Sequence, residues 1–175
     1  MRAKLKYLLI FVFLLFSFNT KSFGENLTVY FVDIDKIISQ SNVGKKVQKS
    51  FNQKIKKEND KFSKIESELK SKEQDILKKK NILSKEELDK EVKDFQMTLK
   101  NFREDRVKFN REINKKNLQT TNKMVNEINK ILTKYASENS ISLIIQKKHI
   151  IIGKSELDIT DKILKEFNNQ VKSVD

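Results

Sequence analysis

Apolar residues recur along the chain at two different periods, and the change of period marks its parts. Residues 27–32, Leu-Thr-Val-Tyr-Phe-Val, are β-branched and aromatic, which predicts a short strand buried on both faces. Asp33 to Ile38 reads as a short helical turn. From about residue 42 the period becomes helical. Val47, Phe51, Ile55, Phe62, Ile65, Leu69 and Ile76 follow steps of 4, 4, 7, 3, 4 and 7. Leu88, Val92, Phe95, Leu99, Phe102, Phe109 and Ile113 follow steps of 4, 3, 4, 3, 7 and 4. Both are heptad-like seams sustained over several turns. Met124, Ile128, Ile131 and Tyr135 continue the second stripe to about Glu138. Strand character then returns in Ile141–Ile145 and, after a Gln146-Lys147-Lys148 turn, in His149–Ile152, ended by Gly153. A last helix is predicted to start at Thr160 as N-cap, with Ile163, Leu164, Phe167 and Val171 on one face.

Between the two seams, Ser84 and Glu87 form a capping box, so a new helix starts there. Asn81 is a fitting end for the helix before it. The break is only a few residues long, so the helices fold back as an antiparallel hairpin with its tip near residues 81–84. In such a hairpin, facing residues have numbers that sum to about 164. Phe51 with Ile113, Ile55 with Phe109, Phe62 with Phe102, Ile65 with Leu99, Leu69 with Phe95 and Ile76 with Leu88 all sum to 164. The phenylalanines of the seam are thereby assigned to the hairpin core. Glu58 falls opposite Arg106, and this pair is predicted to form an ion pair that sets register more than it adds stability.

The predicted fold is mainly α with a small β body. A long antiparallel coiled-coil hairpin, residues 42–138, projects from a short-stranded β core, with a C-terminal helix added. The core is discontinuous, from residues 25–41 and 139–175. Those 54 residues are marginal alone, and their short apolar strands need partners. Oligomerisation through this body is the economical answer, with Val29, Phe31, Leu143, Ile145 and Ile151 as the residues shared between subunits. Gly44 is a candidate hinge at the base of the hairpin.

The first residues change the picture of the whole. Arg2, Lys4 and Lys6 precede an unbroken apolar run from Tyr7 to Phe16, and small residues follow at Ser22 and Gly24. This is the order of a cleavable secretory signal peptide, residues 1–24. The run is about half the ~20 residues of a membrane span. In a bacterium with two membranes, export places the chain in the periplasm. Of the 175 residues, 37 are Lys or Arg and 24 are Asp or Glu, for a net charge of +13. The signal removes four basic residues and leaves +9. Residues 42–83 contribute +7 and 84–139 contribute +3, so the entire basic excess lies on the hairpin.

Composition narrows the chemistry. There is no Cys, Pro or Trp and only three Gly. Disulfide scaffolds and thiolate metal sites are excluded, and the absence of Pro suits uninterrupted helix. His149 is the only histidine and reads as a surface residue at a strand edge. Asp33, Asp35, Asp158 and Asp161 read as turn and capping residues rather than acid–base pairs. No phosphate-cradling glycine loop is present. These residues point to no enzyme and no cofactor or metal. Nucleic-acid binding is a weaker reading: of the 33 basic residues past the signal, 30 are Lys and three are Arg, whereas base reading favours Arg.

The order of elements resembles a known family. It runs from the signal, through Val29-Tyr30-Phe31-Val32-Asp33 and a Lys-rich hairpin containing Phe102-Arg103-Glu104-Asp105-Arg106, to Leu143-Ile144-Ile145. Leu157-Asp158-Ile159-Thr160-Asp161 then opens the last helix. This resembles the Skp (OmpH) family of periplasmic chaperones across essentially the whole chain past the signal. The resemblance implies a homotrimer whose strands join into a small barrel-like body. Three helical tentacles then enclose a cavity that holds unfolded outer-membrane proteins without ATP. Some relatives are proposed to bind lipopolysaccharide through a basic cluster on the second arm. Here Arg106 and Lys108 are kept but Phe109 stands beside them, so that site is not carried over. On the arms, Lys54, Lys56, Lys57, Lys64, Lys78, Lys79, Lys80, Arg103, Lys108 and Arg111 are the candidate client-binding residues, acting by long-range attraction of acidic unfolded chains. The alternative is a basic coiled-coil binding or spacer protein of the cell envelope, with weak contact to an anionic membrane surface and no specific nucleic acid.

Overall fold

A computed structural model describes residues 27–174. The predicted signal segment lies outside the described residues. The element order is β1 (Val29–Val32), α1 (Ile34–Gln40), α2 (Asn42–Lys79), α3 (Lys85–Glu138), β2 (Leu143–Gln146) and α4 (Thr160–Gln170). Two short 3-10 turns, Lys147–His149 and Ser155–Leu157, lie between β2 and α4.

α2 has 38 residues and α3 has 54, so at ~1.5 Å per residue they run ~57 Å and ~80 Å. α2 ends at Lys79, and Ser84 caps α3. The Ser84 hydroxyl accepts from Glu87 N–H at 3.3 Å, while the Glu87 carboxylate accepts from Ser84 N–H at 3.0 Å. The predicted capping box is therefore formed. Phe62, Leu69 and Phe102 are buried between the helices, with Ile65, Phe95, Leu99 and Phe109 against them. The Phe62 ring meets Phe102 at 5.9 Å and Phe109 at 5.9 Å, both edge to face. Phe62 thus sits between two residues seven apart, the corners of a knob-into-hole contact.

The predicted Glu58–Arg106 ion pair is not formed. Glu58 instead accepts from Lys61 on its own helix at 2.8 Å. The Arg106 guanidinium lies 5.6 Å from the Phe102 ring centre. Arg106 occupies the position between Phe102 and Phe109 where Phe62 inserts. Folding over an aromatic face beside that knob keeps its stem packed, and a partner one turn away on the same helix needs less ordering of Glu58.

The second core lies where the helices meet the strands. Val32, Ile37, Val43, Met124, Ile128, Ile131, Ile159, Ile163, Phe167 and Val171 form one buried cluster. The apolar stripe at the end of α3 and the inner face of α4 close on it, as their spacing predicts. β1 and β2 pair in parallel, with Val29 opposite Leu143 and Val32 opposite Gln146. The whole hairpin is their crossover. On the other side of β1, the Phe31 carbonyl accepts from Ile159 N–H at 3.0 Å.

Three further expectations need correction. The run His149–Ile152 is not a strand: Lys147–His149 is a 3-10 turn and Ile150–Ile152 is irregular. Ile151 and Ile152 are 98% and 90% exposed, and among the described residues this segment pairs with no strand despite its β propensity. Gly44 is no break in the helix, because α2 runs through it. A Cβ at Gly44 would collide with the Ile38 carbonyl oxygen. Gly44 is there for the close approach of α1 to α2. Thr160 is the first residue of α4 rather than its cap: Ile159 holds the cap position without a side-chain bond, and Asp158 before it accepts from Thr160 N–H through Oδ1 at 2.9 Å.

Candidate functional site

The ten basic residues singled out on the arms are all exposed. Lys54, Lys56, Lys57, Lys64, Lys78 and Lys79 lie on α2, Lys80 follows its last turn, and Arg103, Lys108 and Arg111 lie on α3. Only Lys78 has an acidic partner among the described residues, Asp75 at 3.7 Å. The others offer their charge to solvent. They are not gathered into one pocket. Lys56, Lys57 and Lys64 share a shallow face of α2 with Gln53, Asp60 and Lys61, while the lysines near the tip stand ~20–35 Å further along.

Apolar groups stand among these charges. Leu77, Ile82, Met97, Val107 and Leu118 are exposed on the hairpin. They fall off the seam, so the core does not need them. Such isolated exposed residues are ordinary on a protein surface. Their place on a basic rod is what gives the arms a mixed character.

A groove at the arm base joins Lys54 to basic residues that sequence reading missed. Lys46, Lys54, Lys116 and Lys172 rim it, and Val43, Val47, Phe51 and Val174 form its floor. Lys46 and Lys54 share the spacing of one helix face. Lys116 comes from α3 and Lys172 from beyond α4, and no local signal links them.

The body residues divide. Phe31 is buried, Val29 and Ile145 are half-buried, and Leu143 and Ile151 are exposed. Beside them lies a polar network. Lys147 Nζ donates to Asp158 Oδ2 at 2.6 Å and lies 5.8 Å from the Phe31 ring centre. Asp158 Oδ1 also accepts from the Thr160 hydroxyl at 2.5 Å. Partial burial works to raise the Asp158 pKa. The bonds from Lys147 and Thr160 outweigh it and hold the carboxyl below its ordinary value. The same hydrogen bond raises Lys147. His149 stands exposed in the adjacent turn. This network ties β1, the turn after β2 and α4 together, and reads as structural.

Comparison with known proteins agrees with this architecture. A search of curated proteins returns no match. Among solved structures, the chain is similar to a crystal structure described as that of an outer membrane chaperone (OmpH-like) from Caulobacter crescentus CB15. The TM-score is 0.77 at 15% identity, covering 85% of this chain and 88% of that one. At that identity the likeness shows the fold. The sequence itself matches the family described as outer membrane protein (OmpH-like) over residues 28–167, from the first strand into the last helix. The chain therefore belongs to the OmpH-like family.

Proposed function

We propose that this protein is a nucleotide-independent chaperone of the periplasm that holds unfolded outer-membrane proteins between basic helical arms. The observation that carries this reading is the surface of the hairpin. Of its 26 basic side chains five are in ion pairs, and exposed Leu77, Ile82, Met97, Val107 and Leu118 are scattered among the rest. Unpaired lysines attract an acidic unfolded chain over about one Debye length, ~10 Å at 0.1 M salt. Scattered apolar groups then hold it at many weak points. Weak contacts let a client leave without nucleotide hydrolysis. Family membership and the chaperone-like fold support the same role.

Holding requires more than one arm, because a single thin hairpin encloses nothing. The body supplies a means of joining. Leu143 in β2 and Ile151 and Ile152 beyond it are exposed apolar residues; β2 is paired on one side only among the described residues, and an unpaired strand edge seeks a partner. A homotrimer joined there, with Val29, Phe31 and Ile145 behind the joint, is the assembly proposed. The first 24 residues act as the export signal.

The test is dilution of a urea-unfolded outer-membrane barrel into buffer with the protein and no nucleotide, followed by light scattering. Suppressed scattering at low salt that weakens toward ~1 M salt, where the Debye length is ~3 Å, supports the reading. Scattering unchanged by the protein at either salt refutes it. Suppression that salt leaves untouched refutes the electrostatic part.

A further inference from the structure

The groove at the arm base combines an apolar floor with a rim of one charge sign. Its volume is about 340 Å³, at the lower end for small-ligand sites. Val43, Val47 and Phe51 of α2, Thr120 of α3 and Val174 beyond α4 are its apolar and neutral lining. Four amines, Lys46, Lys54, Lys116 and Lys172, surround it, and no carboxylate among the described residues lines it. None of the four is in an ion pair among the described residues. Lys172 is turned back onto the Asn168 carbonyl at 3.0 Å.

Four like charges around an apolar floor are unfavourable to each other and are relieved by an anion. The anion must also bring an apolar group to cover Phe51 and Val47. Dimensions narrow the choice further. Lys46 and Lys54 are eight residues apart on α2, ~12 Å along the axis. An extended peptide spans that distance in about four residues at ~3.3 Å each.

We propose that this groove is a specific subsite for a short, extended, acidic peptide segment that carries one aromatic or large apolar side chain between carboxylates. The side chain lies on the Val47–Phe51 floor, and the flanking carboxylates meet Lys46 and Lys54 on one side and Lys116 and Lys172 on the other. The inference rests on the holding role proposed above. It adds a defined anchoring point, at the arm base, to contacts that are otherwise diffuse.

The probe is a capped pentapeptide, two aspartates on each side of a phenylalanine, titrated into the whole protein at low salt. NMR chemical shifts of the protein and fluorescence anisotropy of the labelled peptide are followed. Shifts centred on Val47, Thr120 and Val174 are expected. The double variant Lys54→Gln with Lys116→Gln should weaken binding by about tenfold. A peptide with glycine in place of phenylalanine should also weaken by about tenfold, because the buried ring is lost. Lys90→Gln with Lys93→Gln, on α3 away from the groove, should leave binding within twofold. Equal binding of the glycine peptide, or an equal loss in the Lys90 and Lys93 variant, would reduce the effect to general attraction by the arms and overturn the proposal. So would anionic phosphatidylglycerol vesicles shifting these resonances when the peptide shifts none. Client holding is measured alongside. If it persists while the peptide fails to bind, the groove proposal alone falls; if the unaltered protein holds no client, the chaperone role itself falls.

Discussion

Phe62 and Phe102 meet edge to face with their ring centres 5.9 Å apart, one from each helix of the hairpin. This contact sets the register of two helices that share no hydrogen-bonded ladder. Both rings are buried on an otherwise charged rod, so the hairpin has few other places to store stability. Phe62→Ala should cost about 3 kcal/mol. A double-mutant cycle with Phe102→Ala should show coupling of about 0.5–1.5 kcal/mol, read by chemical denaturation. Independent effects of the two changes would contradict the register.

Ser140 follows the last turn of α3 in a left-handed conformation, with φ at 52°. Ile141 N–H returns to the Ala136 carbonyl at 2.9 Å, which closes a Schellman motif. Glycine is the usual residue at that position, and serine there is strained. Ser140→Gly should therefore stabilise the protein by about 1 kcal/mol, with a matching rise in Tm. A fall in Tm would show that the serine side chain contributes something the geometry does not contain.

Gly44 gives the opposite sign. Alanine in place of glycine inside a helix ordinarily gains about 1 kcal/mol. Here the added Cβ meets the Ile38 carbonyl oxygen, backbone that cannot swing aside. Gly44→Ala should lose about 1–3 kcal/mol. Loosened packing of α1 on α2 should appear as faster amide exchange in α1. A stabilised variant would mean that the two helices are not held this close.

Asp158 links pH to stability through the body. Its carboxyl is held below its ordinary value by Lys147 and Thr160. A depressed carboxylate contributes stability that is fully present above its unfolded pKa, about 3.9, and is lost as pH falls through the lower folded value. Lys147 is raised, so its contribution is present through neutral pH and is lost only when pH rises through its folded pKa. Asp158→Asn should lower Tm at neutral pH, and its difference from the unaltered protein should shrink as pH falls below about 4. A difference that stays constant down to pH 2 would remove the ion pair from the explanation.

Much of this architecture is legible in local patterns. The steps between Phe51 and Ile76 and between Leu88 and Ile113 show the hairpin, and Ser84 with Glu87 shows its turn, because helix periodicity and capping act over a few residues. What the pattern leaves out involves distant or competing choices. The parallel pairing of Val29 with Leu143 spans the entire hairpin and has no local sign. Ile150–Ile152 has strand composition, yet the Lys147–His149 turn redirects the chain and no edge receives it. Glu58 has cationic partners within reach on its own helix as well as across the hairpin, and Lys61 on its own helix prevails. The ten arm residues were legible as exposed charge. The basic groove was not, since Lys46, Lys116 and Lys172 meet only once the tertiary fold is formed.

The central claim is that the arms hold an unfolded client without nucleotide. The most direct measurement is the mass and composition of the species formed when the protein meets a urea-unfolded outer-membrane barrel in nucleotide-free buffer. Size-exclusion chromatography with light scattering gives the mass, and circular dichroism of the complex reports the client's state. Three copies of the protein with one soluble client that lacks β structure is the predicted result. A protein that elutes alone, while the client pellets as aggregate, would contradict it.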